Sequence, residues 1–203
     1  MATYSRPTNH TYMGESREDL PAGGYVLKIY DAKERKYPSG DLVYEISFDV
    51  AEGPQKDFYK NDYARQTGDN KWWRGTFNLN PPKDSDEAWK VNKFWDFFYA
   101  VEDSNPGFQF SGDTDDINKA KFGNKLFGAT FRREESKPNA QGRKFWNTRL
   151  FNCKPVSAIR DNKFSIPKDK PYTDKGGTSP SAPSTDPDGF MSIPDGIQEE
   201  LPF

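Results

Sequence analysis

The stretch DLVYEISFDV, residues 41–50, shows the clearest periodicity in this 203-residue chain. Apolar side chains occupy every second position, namely Leu42, Tyr44, Ile46, Phe48 and Val50. The positions between them hold Val43, Glu45, Ser47 and Asp49. Because successive side chains of a strand point to opposite faces, the alternation predicts a half-buried β-strand with one face in water.

Two hairpins extend this pattern. The segment GYVLKIYDA, residues 24–32, alternates similarly, and YPSG at 37–40 has the composition of a β-turn, with Pro38 at the position whose φ it presets. The segments KLFGATFRRE at 125–134 and RKFWNTRLFNC at 143–153 repeat the pattern on either side of the loop ESKPNAQG. They predict a second hairpin.

The region between the hairpins predicts further strands and one helix. The segments DFYKNDYAR at 57–65 and KWWRGTFNL at 71–79 are interpreted as a third strand and a less certain fourth. Asp84 and Glu87 form a predicted capping pair for a helix. Its apolar residues recur at helical spacing, with Trp95 and Phe98 expected in the core: Val91, Phe94, Trp95, Phe98 and Val101.

The element order is strand, strand, strand, helix, strand, strand. This is the order of the OB-fold, a five-stranded Greek-key barrel with a helix between strands 3 and 4. We therefore predict a mainly β fold of this kind. An SH3-like barrel or a small sandwich stays open, because element order alone does not determine topology.

The composition changes near residue 167. The segment KPYTDKGGTSPSAPSTDPDG at 170–189 has almost nothing to bury, which predicts a flexible linker. From residue 171 onward one base, Lys175, accompanies six acids: Asp174, Asp186, Asp188, Asp195, Glu199 and Glu200. We predict an N-terminal arm at 1–20, an OB-fold domain at 21–167, a linker at 168–193 and an acidic-hydrophobic tip at 194–203, the last two forming a disordered acidic tail.

The rarest residues argue against most enzyme classes. Cys153 and His10 are the only cysteine and histidine, so Cys/His zinc sites and Cys-His or Ser-His-Asp catalytic groups are disfavoured. We expect no enzyme activity, no cofactor and no metal. No apolar run could span a bilayer and the N-terminus lacks a signal-peptide core, so we expect a cytoplasmic protein without membrane contact.

One acidic cluster is the main candidate for metal chemistry. Asp113, Asp115 and Asp116 lie in GDTDDINK at 112–119, but the calcium-loop pattern lacks its glycine and its distal glutamate. A solvated loop or a helix cap is the favoured interpretation. A metal-dependent nuclease built on these residues is a less favoured alternative.

Cations and aromatic residues alternate in three regions, a composition suited to single-stranded nucleic acid, where stacking contributes about 1–3 kcal/mol per base. The first hairpin offers Lys33, Arg35, Lys36 and Tyr37. The region after it offers Lys56, Tyr59, Lys60, Tyr63, Arg65, Trp72, Trp73 and Arg74. The second hairpin offers Arg132, Arg133, Lys137, Arg143, Lys144, Trp146 and Arg149. Loop cations are by default solvated and strand aromatics more often core, but adjacent strand residues Trp72 and Trp73 should point to opposite faces.

The last residues, EELPF at 199–203, resemble the tip of bacterial single-stranded DNA-binding proteins, whose tails end in acids followed by Ile-Pro-Phe. Leu201 stands here in place of isoleucine, and glutamates stand in place of aspartates. The resemblance implies that Phe203 fills an apolar pocket of replication, recombination or repair proteins. Leu201 and Pro202 would support it, and Asp195, Glu199 and Glu200 would supply charge.

The segment of about 20–153 resembles phage-encoded single-stranded DNA-binding proteins. The motifs that carry this resemblance are LPAGGYVLKIYDA, an SG turn, FDVAEG, GATFR and NTRLFN. The resemblance implies sequence-tolerant binding and protection of single-stranded DNA during phage DNA replication, recombination or repair, in the host bacterial cytoplasm. The sequence leaves open whether the protein forms a homo-oligomer. The alternative from another class is a protein- or carbohydrate-interaction module with an aromatic groove.

Overall fold

The computed structural model describes residues 18–67, 70–83 and 85–173. The described residues up to Pro171 belong to one compact unit. Most of the predicted N-terminal arm, Asp84, most of the linker and the whole tip, from Asp195 to Phe203, lie outside the described residues.

A five-stranded antiparallel sheet forms the framework. Its strands are β1 (Gly23–Lys36), β2 (Leu42–Val50), β3 (Thr76–Leu79), β4 (Leu126–Glu135) and β5 (Trp146–Lys154). They lie in the order β3-β2-β1-β4-β5, so β3 and β5 are the two edges. The turn between β1 and β2 is closed by a hydrogen bond from the N–H of Gly40 to the carbonyl of Tyr37, 2.8 Å long. Both predicted hairpins are present.

The central strand β1 pairs with two partners at its two ends. Its first half pairs with β4, from Gly23 opposite Phe131 to Lys28 opposite Leu126. Its longer second half pairs with β2, and the register shifts between Ile29 and Asp31. Such a bulge bends a strand and increases its twist, which allows one strand to serve both neighbours.

Within the described residues, four α-helices accompany the sheet: α1 (Phe58–Arg65), α2 (Ala88–Ser104), α3 (Lys119–Phe122) and α4 (Val156–Arg160). Helix α2 lies between β3 and β4 in the chain and packs on β4 and β5. The predicted mainly β fold with five strands and this helix position is confirmed. The sheet is not closed into a barrel, because no pairing joins β3 to β5 in the described residues.

The prediction of a strand at 57–65 is wrong, because this segment forms α1. Its start is held by Asp49 of β2, a buried carboxylate that accepts hydrogen bonds from the N–H groups of Val50, Tyr59 and Lys60 at 2.8–3.0 Å. Burial raises the pKa of Asp49, although the three backbone donors work in the opposite direction. The free N–H groups at a helix start need acceptors, and here the preceding strand supplies them.

The predicted strand at 71–79 is shorter than expected. Only Thr76–Leu79 pairs with β2, and the preceding residues form a loop. Gly75 marks the transition, because a Cβ at that position would collide with the carbonyl oxygen of Phe48. The close crossing lets the carbonyl of Gly75 accept a 2.7 Å hydrogen bond from the N–H of Phe48.

Two finer predictions also need correction. The face of β2 predicted to be wet includes Val43 and Asp49, both buried. Asp49 is covered by the start of α1, whose backbone it binds. Helix α2 begins at Ala88 with Glu87 as N-cap, and the Glu87 side chain makes no capping hydrogen bond to the helix. Its carboxylate accepts the indole N–H of Trp89 instead.

Phenylalanines dominate the core, as the composition indicates. The largest buried side chains include Phe48, Phe97, Phe98, Phe122, Phe127 and Phe131. Phe98 stacks on Phe110 with ring centroids 4.0 Å apart, whereas Trp95 is only half-buried at the edge of the core. Among the described residues, no helix combines the length and the apolar character needed to cross a membrane.

Candidate functional site

An open cleft of about 660 Å³ separates the sheet edges β3 and β5. One wall is formed by β3 and its flanking loops, and the opposite wall by residues 147–153 of β5. The first turns of α2 contribute Trp89, Lys90 and Lys93, and the interior is lined by core rings such as Phe97 and Phe131. The cleft therefore lies where a closed barrel would join β3 to β5.

Two exposed tryptophans line this cleft. Trp72 is 56% exposed in the loop before β3, and Trp89 is 58% exposed at the start of α2, after β3. The two rings thus flank the same edge strand in the sequence. Large aromatic faces left in water beside a groove are available for stacking on a flat ligand.

The charged residues of the cleft are mostly basic. Lys93 and Arg149 are exposed, and neither forms an ion pair with another described residue. Lys90 pairs with Asp86 at 3.1 Å and lies 5.7 Å from the Trp89 ring centroid. The backbone N–H of Lys83 and the ammonium of Lys90 lower the pKa of Asp86, the one acidic residue of the described lining. The cleft is therefore suited to an anionic ligand.

The loop that carries Trp72 is fastened to α1. Gln66 accepts a 2.9 Å hydrogen bond from the N–H of Trp72 and donates a 3.0 Å bond to its carbonyl. Arg74, whose side chain is 7% exposed, makes a bidentate pair with Asp62 at 2.6 and 2.7 Å and a 3.2 Å pair with Asp19. Burial works to raise the pKa of Asp62, but the hydrogen bonds and charge of Arg74 outweigh it and hold the pKa low.

Of the predicted nucleic-acid contacts, the structure brings four to the cleft: Tyr59, Trp72, Arg74 and Arg149. Tyr59 is buried against Phe48 and Phe58, and burial strongly raises its pKa. Arg74 is committed to its two aspartates. Tyr59 and Arg74 therefore form the framework of the cleft, whereas Trp72 and Arg149 offer exposed surface to a ligand.

Trp73 belongs to a separate aromatic group beside α1. Its indole N–H donates to the carbonyls of Phe48 and Gly75 at 3.2 and 3.1 Å. Its ring contacts Tyr30 and Tyr63, with centroids 5.5 and 6.1 Å away. Trp72 and Trp73 do differ in exposure, but they lie in a loop, so the predicted strand alternation is not the reason.

The cations on and near α1 are exposed: Lys56, Lys60 and Arg65. Arg65 lies 3.8 Å from Glu18, and Tyr63 has the ammonium of Lys71 5.8 Å from its ring centroid. This group lies outside the residues that line the cleft.

The predicted cations of the first hairpin form ion pairs with carboxylates of the same hairpin. Lys33 and Arg35 both pair with Glu45, at 3.0 and 2.9 Å, and Lys36 lies 3.8 Å from Glu34. Burial works to raise the pKa of Glu45, but Lys33 and Arg35 outweigh this effect and lower the pKa. The hydroxyl of Tyr37 accepts a 2.8 Å hydrogen bond from Asn78 of β3, which joins the hairpin turn to the edge strand.

The second hairpin combines cations and rings. Arg132 lies 4.2 Å from the Phe151 centroid and pairs with Glu134, whereas Arg133 lies 5.0 Å from the Trp146 centroid and 3.6 Å from Asp169. Lys144 pairs with Glu135 at 3.4 Å. Lys137, Arg143 and Phe145 are exposed in the loop. Arg149 of β5 connects this surface with the cleft.

Sequence reasoning missed Trp89 and Lys93. They lie four positions apart at the start of α2, so they share one face of the helix. The usable signal is a tryptophan outside the apolar stripe, one turn from a lysine. The helical spacing of Val91, Phe94, Trp95 and Phe98 identified only the core face of the helix, and Trp89 and Lys93 lie outside that face.

The acidic cluster serves local structure. Asp113 is the N-cap of the short 3-10 helix Thr114–Asp116 and accepts a 3.0 Å hydrogen bond from the N–H of Asp115. Asp116 accepts a 2.8 Å bond from the hydroxyl of Ser111. Within the ranges that the structure describes, no group of three or more His, Cys, Asp or Glu residues could hold a metal ion.

Cys153 lines the cleft from the end of β5 and is half-buried. Burial raises the pKa of its thiol to about 12. The thiolate that nucleophilic chemistry requires is therefore scarce at neutral pH.

Comparison of the chain with models of known protein families, and with curated proteins, gives no match. The functional conclusion therefore depends on the residues and their geometry.

Proposed function

We propose that this protein is a non-enzymatic, sequence-tolerant single-stranded DNA-binding protein that coats and protects exposed strands during replication, recombination or repair. The observation that carries the proposal is the cleft between β3 and β5, where an exposed Trp72 lies with Lys93 and Arg149, two cations without an ion-pair partner among the described residues. An aromatic face and positive charge are the two components that a single-strand interface needs.

The OB-fold interpretation is part of this proposal. The order β3-β2-β1-β4-β5, with β1 pairing to both β2 and β4 and a helix between β3 and β4, supports it. A short ladder between β3 and β5 would complete the barrel. OB-folds commonly bind oligonucleotides.

The aromatic faces and the cations contribute different properties to DNA binding. Stacking tolerates any sequence because every base has a π-face, and it contributes about 1–3 kcal/mol per base. Phosphate contacts release counterions, so log affinity should fall with log salt at a slope of about −0.7 per phosphate neutralised on a single strand. A duplex hides its base faces and should bind much more weakly.

The C-terminal residues add a second role to the proposal. Phe203 with Leu201 and Pro202 would dock in an apolar pocket of a replication, recombination or repair protein, and the acids Asp195, Glu199 and Glu200 would guide the approach. This role rests on the resemblance of EELPF to the bacterial tip.

The test is fluorescence anisotropy of labelled oligo-dT roughly thirty nucleotides long, chosen to exceed the 4–16 nucleotides of one OB-fold site. It is titrated with the full chain at about 50 and about 200 mM salt, beside the matching duplex and the ribo form. Tight, salt-sensitive binding to the single DNA strand supports the proposal. Absence of binding at low salt overturns it, and a preference for the ribo form contradicts the assignment to DNA.

The alternatives make different predictions in the same assay. A protein- or carbohydrate-interaction module would show no salt-dependent DNA affinity. A nuclease built on Asp113, Asp115 and Asp116 would cleave the labelled strand when magnesium is added, and the cleavage would disappear in a triple Asn variant.

A further inference from the structure

The first turns of α2 present a surface that the sequence-based interface does not contain. Trp89 and Lys93 lie on one side of the helix, and both line the cleft beside β3. Trp89 is one of the two most exposed tryptophans of the described chain. The ring lines the same cleft as the exposed Trp72, and exposed apolar side chains grouped around a groove mark ligand-binding surfaces.

The cleft has a definite linear order along its first wall. Trp72 precedes β3, the four residues of β3 follow, and Trp89 comes next at the start of α2. As an edge strand, β3 directs alternate backbone N–H and C=O groups away from β2. Its exposed Thr76 and Asn78 add polar side chains. In chain order, the cleft lining therefore offers a ring, a hydrogen-bonding edge and a second ring.

Charge identifies the class of ligand. The described lining contains four basic residues, Arg74, Lys90, Lys93 and Arg149, against one acidic residue, Asp86. Arg74 and Lys90 are neutralised by aspartates, but Lys93 and Arg149 are not paired with any described carboxylate. An anionic ligand with several flat rings satisfies both the exposed tryptophans and the two unpaired cations.

We propose that single-stranded DNA runs along the edge strand β3 inside this cleft, with one base stacked on Trp72, another on Trp89, and intervening phosphates on Lys93 and Arg149. This inference rests on the proposed function and assigns the path of the strand. The cleft volume of about 660 Å³ accommodates a short segment of strand. The rest continues over the cations of the second hairpin.

The decisive experiment compares matched pairs of variants in the full chain. Trp89→Ala is paired with Tyr99→Ala, because Tyr99 lies on the same helix, is equally exposed at 58% and does not line the cleft. We expect Trp89→Ala to weaken oligo-dT binding about 5- to 150-fold, and Tyr99→Ala to leave it unchanged. Trp89→Phe, which keeps an aromatic face, should recover most of the loss.

The second pair tests the phosphate contact. Lys93→Ala and Lys119→Ala remove the same charge from exposed lysines, but Lys119 belongs to α3 and lies outside the cleft. We expect Lys93→Ala to reduce the magnitude of the log–log salt slope by about 0.7, and Lys119→Ala to leave it unchanged. Circular dichroism and thermal unfolding of each variant establish that the fold is retained.

The outcomes separate this inference from the proposed function. If the wild-type chain binds the strand but Trp89→Ala and Lys93→Ala behave like their controls, the path along β3 is wrong and DNA binding still stands. If the wild-type chain does not bind at low salt, both fail. Because the lysine pair leaves the aromatic residues intact, a folding defect in Trp89→Ala would not leave the path untested.

Discussion

The side chain of Gln66 binds the backbone of Trp72 at two points, its N–H and its carbonyl. Its oxygen accepts the N–H of Trp72 at 2.9 Å, and its amide nitrogen donates to the carbonyl of Trp72 at 3.0 Å. The same nitrogen donates to Asp62 at 3.1 Å, within α1. The exposed ring of Trp72 is therefore carried on a backbone that α1 fixes in place, and a fixed ring loses less entropy when a base stacks on it.

Replacing Gln66 with Ala should weaken single-strand binding several-fold, because the loop must then be ordered at the moment of binding. The effect should be smaller than that of Trp72→Ala, which removes the stacking face itself. Gln109→Ala provides the control, since Gln109 is exposed and lies outside the cleft. Anisotropy titrations with oligo-dT measure all three, and equal affinities for Gln66→Ala and wild type would contradict a positioning role.

Two arginines of the β4–β5 hairpin should contribute differently to the salt dependence of binding. Arg149 is exposed in the cleft without a described ion-pair partner, whereas Arg132 is bonded to Glu134 at 2.6 Å and lies on the Phe151 ring. We expect Arg149→Ala to reduce the magnitude of the slope by about 0.7 and Arg132→Ala to leave it nearly unchanged. Equal slopes for the two variants would show that pairing in the free protein does not select the phosphate contacts.

Arg74 should matter for stability more than for direct contact with DNA. Its nearly buried guanidinium serves Asp62, Asp19 and the carbonyl of Glu18. Breaking such a pair from one side leaves an uncompensated charge, so we expect Arg74→Ala to lower the free energy of unfolding by about 3 kcal/mol. Arg74→Lys should recover only part of this, because one ammonium cannot reproduce the bidentate contact. Urea denaturation measures both, and a change below 1 kcal/mol for Arg74→Ala, on the order of a surface pair, would refute the assignment.

The Asp62–Arg74 pair also predicts an acid-dependent loss of stability. The pKa of Asp62 is lower in the folded chain than in the unfolded one, so its contribution is fully present above the unfolded value of about 3.9. The contribution disappears as the pH falls through the lower folded pKa. The stability difference between wild type and Asp62→Asn should therefore be constant at neutral pH and shrink below about pH 4. A difference that persists unchanged to pH 2 would argue against the ionised pair.

Asp49 should determine whether 57–65 is helical. Asp49→Ala leaves the N–H groups of Tyr59 and Lys60 without their acceptor, which costs about 1–3 kcal/mol for each buried unsatisfied group. Asp49→Asn keeps one acceptor oxygen and should fall between Ala and wild type. Urea denaturation ranks the three, and amide hydrogen exchange should show faster opening of α1 in the Ala variant. If Asp49→Asn is as unstable as Asp49→Ala, the stabilisation comes from the charge of Asp49 and not from the number of its acceptor atoms.

Local patterns predicted those elements whose burial is periodic. The alternation in 41–50 and the turn at Tyr37–Gly40 produced β1 and β2, and the spacing of Phe94, Phe98 and Val101 produced α2. The helix at 58–65 was not predictable in this way, because its start depends on a tertiary contact with Asp49 of the preceding strand, ten residues before Tyr59. The cleft was predicted only in part: Trp72 and Arg149 were expected at an interface, whereas Trp89 and Lys93 were not.

By itself, the sequence determined the two hairpins, helix α2, the aromatic core and the pool of cations and rings from which an interface can be built. Alternation and helical spacing are local properties, and local sterics are enough to produce them. Only the tertiary structure decided which cations form internal pairs, as in Arg74 with Asp62, and which line the cleft without a described ion-pair partner, as in Lys93 and Arg149. Ion pairing and exposure depend on distances between segments that the chain brings together only when it folds.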